Sequence, residues 1–439
     1  VTQTTSKHRT SMDPRGRTLS AWLDMVHWPT IADRTPEQAR SDYQVLVSTT
    51  TRRTVGGWRR STRAIVDDGV QVPVRVYWPR RFDVRRSARD DRPIVVWLHG
   101  GGFVVGDLFT ADQMCRKIAN YSGAVVVSAD YRRTPESPLA AAHEDARTVV
   151  RWAYDHARVL GADPRRLIVA GDSAGGNLAA ALTQHFRDDA TARIAGQVLV
   201  YPATDLTLSH MDDHAANGFF DVNAIDWFGT HSLAGVDRTD PAISPLLAAS
   251  HANLPPAHIV VGGADPFCPD GRAYAEALEK AGNEVVCEEY PRQIHGFVDM
   301  DAMFPAGHAA LASMARTISM IAPVAEAPVP AEASSPIRWS SSLIEAGTRL
   351  DEAWLRTPMV NTGRIMSTLA AEYWRRPPVS AAGALTSVAR SVRLGSRPKR
   401  TETPRIETCG VETRAVETRS TAASSDSAPN SNTPAGKQD

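Results

Sequence analysis

The chain has 439 residues, 42% apolar and 22% charged, a balance that suits one large α/β domain with additions or two to three smaller domains. Lys and Arg number 49 and so do Asp and Glu, so the chain lacks the basic excess of a dedicated nucleic-acid binder. Four cysteines without close pairing argue against a disulfide framework and a CxxC zinc site, and no run of about 18 apolar residues offers a spanning helix.

The N-terminal residues 1–8 are polar and lack the apolar stretch of a signal peptide, so a cytoplasmic protein is expected. Leu19, Trp22, Leu23, Val26 and Trp28 then recur at helix-like spacing, which predicts an N-terminal helical segment within residues 1–45. The paired arginines Arg52-Arg53 and Arg59-Arg60 read as solvated surface charge. From about residue 60 to 322, strand-like and helix-like stretches alternate, within a domain expected over 46–322. Val72, Val74 and Val76 mark a strand over 71–77, and Pro73 inside it suggests an edge position. Residues 94–98 are apolar throughout, as in a strand buried on both faces. Further strands are expected over 124–128, 167–170, 197–201, 258–261 and 284–290. Helices are expected over 111–120, 140–160, 174–186 and 272–280. Such alternation predicts an α/β fold: a mostly parallel central sheet flanked by helices. Residues 206–245 break the alternation and carry Phe219, Phe220, Ile225, Trp227 and Phe228. They read as a cap insertion over the carboxyl edge of the sheet, or more plainly as core filling.

Gly171-Asp172-Ser173-Ala174-Gly175 is a G-x-S-x-G motif between a predicted strand and a predicted helix. Small residues two before and two after the serine allow a tight turn that lifts its hydroxyl above the sheet at a helix N-terminus. A serine nucleophile needs a base and oxyanion donors. His99-Gly100-Gly101-Gly102-Phe103 follows the 94–98 strand, and its glycines let backbone N–H groups approach a ligand. Asp265 and His295 follow the 258–261 and 284–290 strands, in the chain order serine, acid, histidine. Asp270 is a second candidate for the acid. Asp172 is expected in a supporting role, and Cys268 as a buried, inert thiol.

Together with Tyr131-Arg132, Pro135-Glu136 and His295-Gly296-Phe297, these motifs resemble the α/β-hydrolase fold and, within it, the hormone-sensitive-lipase-like serine esterases. The resemblance spans residues 60 to 320. It implies a triad of Ser173, Asp265 and His295, with oxyanion donors from the N–H groups of Gly101, Gly102 and Ala174. It also implies a helical cap built from the N-terminal helices and the 206–245 insertion. Phe103, Phe219 and Trp227 are candidate pocket residues. The chain departs from the family after Asp265-Pro266, where Pro269 occupies one of two usual acidic positions, and at Leu139-Ala140, where an aromatic and a proline are usual.

The implied activity is hydrolysis of short- to medium-chain acyl esters or small lipids through an acyl-enzyme, with no metal and no cofactor. An amidase, a specialised-metabolite esterase and a non-catalytic binding protein of the same fold are the alternatives. The composition changes again after residue 322. Residues 323–336 read as a Pro/Ala-rich linker. Residues 337–400 are expected to form a helical extension, with Trp339, Leu343, Ala346, Leu350 and Trp354 at the spacing of one amphipathic helix. The basic stretch 385–400 suits peripheral membrane contact, docking on the hydrolase domain, or a second subunit in a homo-oligomer. Residues 401–439 are too polar to bury a core and read as disordered.

Overall fold

Every residue of Ile94–Leu98, Leu167–Asp172, Gly196–Val200 and Ala257–Gly262 is buried, which requires a layer on each face of the sheet. The computed structural model describes residues 12–25, 30–54, 56–64, 69–80, 91–188, 192–212, 220–324 and 337. Val26, Trp28 and Phe219, most of the 323–336 linker, and all of 338–439 lie outside these residues. The chain divides into the units Val1–Arg376 and Pro377–Asp439, and every described residue belongs to the first.

Eight strands form one sheet: β1 (Trp58–Ala64), β2 (Val72–Trp78), β3 (Ile94–Leu98), β4 (Val125–Ala129), β5 (Leu167–Asp172), β6 (Gly196–Val200), β7 (Ala257–Gly262) and β8 (Val285–Tyr290). Their spatial order is β1-β2-β4-β3-β5-β6-β7-β8. The pairs β1–β2 and β2–β4 are antiparallel and the rest are parallel.

Alternation along the strands divides the core. Ile94, Val96, Leu98, Leu167 and Val169 pack on one face, with Leu178 of α5 (Ala174–Asp188) and with α4 (Leu139–His156) and α7 (Cys268–Lys280). Val95, Trp97, Ile168 and Ala170 pack on the other, with Met114 and Ile118 of α3 (Asp112–Ser122) and Leu311 and Met314 of α8 (Pro305–Met320). Each such fully buried aliphatic side chain contributes about 1.5–3 kcal/mol.

Two sequence expectations change. The strand carrying Pro73 is not at the edge, because β1 pairs outside it; residues 58–64 lack the apolar run that reveals a strand. Pro73 is tolerated because the β2–β4 pairing begins at Val74, and the Pro73 carbonyl accepts from Asp130 N at 2.9 Å. The second correction concerns Arg59, which is not simply solvated: its guanidinium bonds Asp112, where Arg75 and Arg116 also converge.

Three helices stand on the carboxyl side. They are α1 (Pro14–Met25), α2 (Pro36–Thr50) and α6 (Val222–Ser232), the last inside the 206–245 insertion. A capping box starts α2: Thr35 Oγ1 accepts from Gln38 N, Gln38 Oε1 accepts from Thr35 N, and Pro36 fills the first position. The side chain of Asp221 caps α6 by accepting from Ala224 N at 2.8 Å. No helix among the described residues is long and apolar enough to cross a membrane.

Candidate active site

Ser173 is the single residue between β5 and α5, and it sits at φ 53°, in left-handed space that costs a non-glycine residue roughly 1–3 kcal/mol. The turn is held by Ser173 N donating to Val200 O at 2.8 Å. The small residues around it are explained by contact. A Cβ on Gly175 would collide with the Leu98 carbonyl, and one on Gly171 with the Gly175 backbone.

The structure brings the three predicted residues together. His295 Nε2 lies 2.9 Å from Ser173 Oγ, and His295 Nδ1 lies 2.7 Å from Asp265 Oδ2. Asp265 is fully buried, and its other oxygen accepts from Phe267 N at 2.8 Å, which fixes the carboxylate plane. The imidazole is flanked by aromatic rings. Phe220 stacks on it with centroids 4.7 Å apart and planes at 15°, and Tyr201 and Phe267 lie at 4.7 and 5.5 Å.

Asp270, the other candidate acid, is engaged elsewhere. It accepts from Thr204 N, Thr204 Oγ1 and Asp205 N at 2.7, 2.5 and 3.2 Å. Burial pushes its carboxyl up to about 7. Cys268 is buried, and burial pushes its thiol up to about 12, which keeps it protonated and unreactive.

Gly101 and Gly102 adopt φ values of 112° and 56°. Among the described residues neither N–H is taken by a backbone carbonyl, although Gly101 O accepts from both Val104 and Val105 N. Ala174 N opens α5, where N–H groups have no partner within the helix. All three residues line one cavity with Ser173 and His295. His99 serves the loop structurally. Its ring stacks 4.2 Å from Tyr131, Tyr131 Oη donates to His99 O at 2.5 Å, and burial holds the imidazole neutral by lowering it to about 4. Asp172 accepts from Gly100 N at 2.9 Å and so ties the serine turn to this loop.

The cavity holds about 280 Å³. Its cap side mixes apolar residues, Leu23 of α1, Leu46 and Val47 of α2, and Ile225 and Phe228 of α6, with polar ones, among them the ion pair of Arg34 and Asp42 at 2.9 Å. Phe103 lines it as predicted. Trp227 does not: it points to the opposite side of α6, packs with Ala39, Val104 and Val105, and donates from Nε1 to Arg34 O at 3.0 Å. The 3.6-residue period puts Ala224, Ile225, Phe228 and Ser232 on the cavity face and turns Trp227 away. Arg40 of α2 fastens the cap to the catalytic domain. It grips Glu136 with two bonds of 2.8 and 2.7 Å and donates to Val104 O and Thr134 O.

Sequence reasoning missed Tyr43 and Asp299, both on the cavity wall. No motif marks Tyr43. Asp299 carries one weak signal, its place four residues after His295. Among the described residues, no group of three or more His, Cys, Asp or Glu is arranged to hold a metal ion.

Comparison with known proteins identifies the family. The family model of the α/β-hydrolase fold matches residues 95–299. Esterase LipI of Mycobacterium tuberculosis is 41% identical over 245 residues, 54% of this chain and 75% of the relative. Carboxylesterase NlhH of the same organism is 40% identical over 255 residues, 56% of this chain and 78% of the relative. The solved structure of an α/β-hydrolase enzyme from the metagenome of Lake Arreo, Spain, superposes with a TM-score of 0.65 at 32% identity, covering 70% of this chain and 98% of that one. The chain thus belongs to the α/β-hydrolase family, as a carboxylesterase-type hydrolase of its hormone-sensitive-lipase-like group.

Proposed function

We propose that the chain hydrolyses short- to medium-chain carboxylic esters through a Ser173–His295–Asp265 triad and an acyl-enzyme. The observation that carries this reading is the continuous line from Asp265 Oδ2 through His295 to Ser173 Oγ, at 2.7 and 2.9 Å, beside the N–H groups of Gly101, Gly102 and Ala174. Ser173 Oγ attacks the ester carbonyl carbon and its proton passes to His295 Nε2. Asp265 holds the Nδ1–H tautomer and stabilises the imidazolium. The carbonyl oxygen, now negative, accepts from the three backbone N–H groups, donors that need no reorganisation. When the tetrahedral intermediate collapses, His295 returns the proton to the departing alcohol. Water then attacks the acyl-enzyme by the same route and releases the acid and Ser173. The cavity of about 280 Å³ supports the limit on acyl length.

Hydrolysis of p-nitrophenyl esters from acetyl to palmitoyl tests the reading, with Ser173→Ala as control. Turnover that falls with chain length and disappears in the variant supports it, as does labelling of Ser173 by a fluorophosphonate. A rate rising toward palmitoyl overturns the short-chain assignment. Absence of any Ser173-dependent turnover in folded protein overturns the esterase assignment for these substrates.

A further inference from the structure

We infer that the chain leaving cap helix α2, Thr50–Arg52, positions the loop that carries His295, and that Thr51 is a positioning residue for the proposed hydrolysis. The kinetic part of this inference rests on that reading.

Helix α2 forms part of the cavity wall. Ala39, Asp42, Tyr43, Leu46 and Val47 line the cavity at helical spacing. The helix has 15 residues and is about 22 Å long. Its first half is fastened by Arg40, and by Gln44 Nε2, which donates to Asp107 Oδ2 at 2.6 Å. Its other end meets a different partner. The last four carbonyls of a helix have no partner within it, and here Thr50 O accepts from Ala302 N at 3.1 Å. Thr51 Oγ1 donates to Asp299 O at 2.5 Å, and Arg52 N donates to Asp301 Oδ1 at 2.8 Å. Three successive residues at the end of α2 thus bond Ala302, Asp299 and Asp301.

The bonded segment continues directly from His295. Phe297 N donates to Ile294 O at 3.3 Å and Met300 N to Gly296 O at 3.2 Å. Met303 N and Phe304 N both donate to Met300 O at 2.9 Å. Consecutive turns closed by backbone bonds leave little slack, so a displacement at Asp299 is carried to the imidazole.

This strap has a fixed anchor. Lys117 Nζ of α3 lies 2.7 Å from Asp301 Oδ1, the same oxygen that accepts from Arg52 N, and both side chains are buried. Asp301 Oδ2 is buried too and has no partner among the described residues. A buried ion pair is weak evidence for stability, and one with an oxygen left unbonded is weaker still. What the pair provides is a junction, where α3, the end of α2 and the loop after His295 meet at one carboxylate oxygen.

The two ends of α2 therefore carry different kinetic signatures. Loss of the Arg40 fastening acts on the pocket and so on KM. Loss of the Thr51 strap moves His295 relative to Ser173 and Asp265 and so acts on kcat.

The test uses the full chain and p-nitrophenyl butyrate. Rates are expressed per active site titrated with a fluorophosphonate, so that partial unfolding does not register as slower turnover. Thr51→Val keeps the shape of the side chain and removes the donor. Its kcat is expected to fall about tenfold, with KM within about twofold of wild type. Thr51→Ser keeps the donor and is expected to return kcat to within about threefold. Thr51→Ala replaces valine if that variant does not fold, with the same expectation. An unchanged kcat without the hydroxyl, or serine no better than valine, overturns the proposal. Proton NMR supplies a readout independent of turnover. The Nδ1–H of His295, 2.7 Å from Asp265, is expected to give a downfield resonance, identified by its absence in His295→Ala. It should shift or broaden in Thr51→Val and return in Thr51→Ser. An identical resonance in wild type and Thr51→Val overturns the proposal. If the wild type shows no Ser173-dependent turnover, the esterase reading fails and this resonance alone decides whether the strap holds His295.

Discussion

On the sheet side of the cavity, Ser173, Asp265 and His295 stand one, three and five residues past the ends of β5, β7 and β8, at Asp172, Gly262 and Tyr290. On the cap side, the wall comes from α1, α2 and α6, which belong to no sheet and meet the catalytic domain through side chains such as Arg40 and isolated backbone bonds such as Ala302 N to Thr50 O. The first wall is held by a continuous parallel sheet whose central strands are fully buried. The second is a set of helix faces of mixed polarity, fastened by a few side chains such as Arg40. The proposed chemistry therefore sits where the fold is over-determined, and the shape of the pocket where it can vary.

The difference can be tested by perturbing each wall, beginning with the sheet side. Ser173→Ala is expected to lower kcat for a p-nitrophenyl ester by roughly 10⁴-fold or more, and Asp265→Asn by a comparable factor, because the imidazole then loses both its tautomer and its counter-ion. A residual rate in Asp265→Asn close to wild type would mean that another acid serves His295.

Gly102→Ala touches both walls at once. Its Cβ would run into the ring of Phe228, at a backbone φ of 56° that alanine adopts with strain. We expect kcat to fall by about 10²-fold through a displaced oxyanion donor, with a smaller change in KM. A change confined to KM would place the damage in the pocket instead.

Arg40→Ala acts on the cap alone. It removes the grip on Glu136 and two bonds to loop carbonyls, and a few-fold rise in KM is expected with kcat less affected. Glu136 is half exposed, so the ion pair itself is worth at most about 1 kcal/mol and the carbonyl contacts matter more. Glu136→Gln should accordingly do less than Arg40→Ala.

Asp270→Asn gives the smallest expected effect on turnover, within about threefold, since Asp270 serves Thr204 and Asp205 rather than His295. Its signature is in stability. A buried carboxyl raised to about 7 from 3.8 favours the fold while protonated. That contribution is fully present below about pH 4 and is lost as pH rises through about 7. Thermal melts across this window should decline more steeply with pH in the wild type than in Asp270→Asn. Parallel curves would contradict the assignment.

The legible parts of the molecule are those governed by local rules. The strands from β3 to β7 were readable because burial on both faces demands apolar runs. The serine turn was readable because a strained strand-to-helix junction tolerates only small neighbours. Strand β1, Trp58–Ala64, was not: one face is solvated, and its arginines resemble a surface loop. Trp227 was misplaced because aromatic residues in a helix are spread around it, and only the packing of α6 reveals which of them meets the cavity.

By itself, the sequence determined the α/β alternation, the strand-to-helix serine turn, the glycine loop and the order of serine, acid and histidine. Each depends on residues within a turn or two of one another. The tertiary structure alone decided which acid reaches His295, since Asp265 and Asp270 are five residues apart and both buried. It also decided that Asp172 and Asp299, 127 positions apart by their numbers, line one cavity. The physical reason is the same in both cases. A carboxyl's partner and its charge are set by what surrounds it in three dimensions, and that environment is assembled from loops at the ends of strands that lie far apart along the chain.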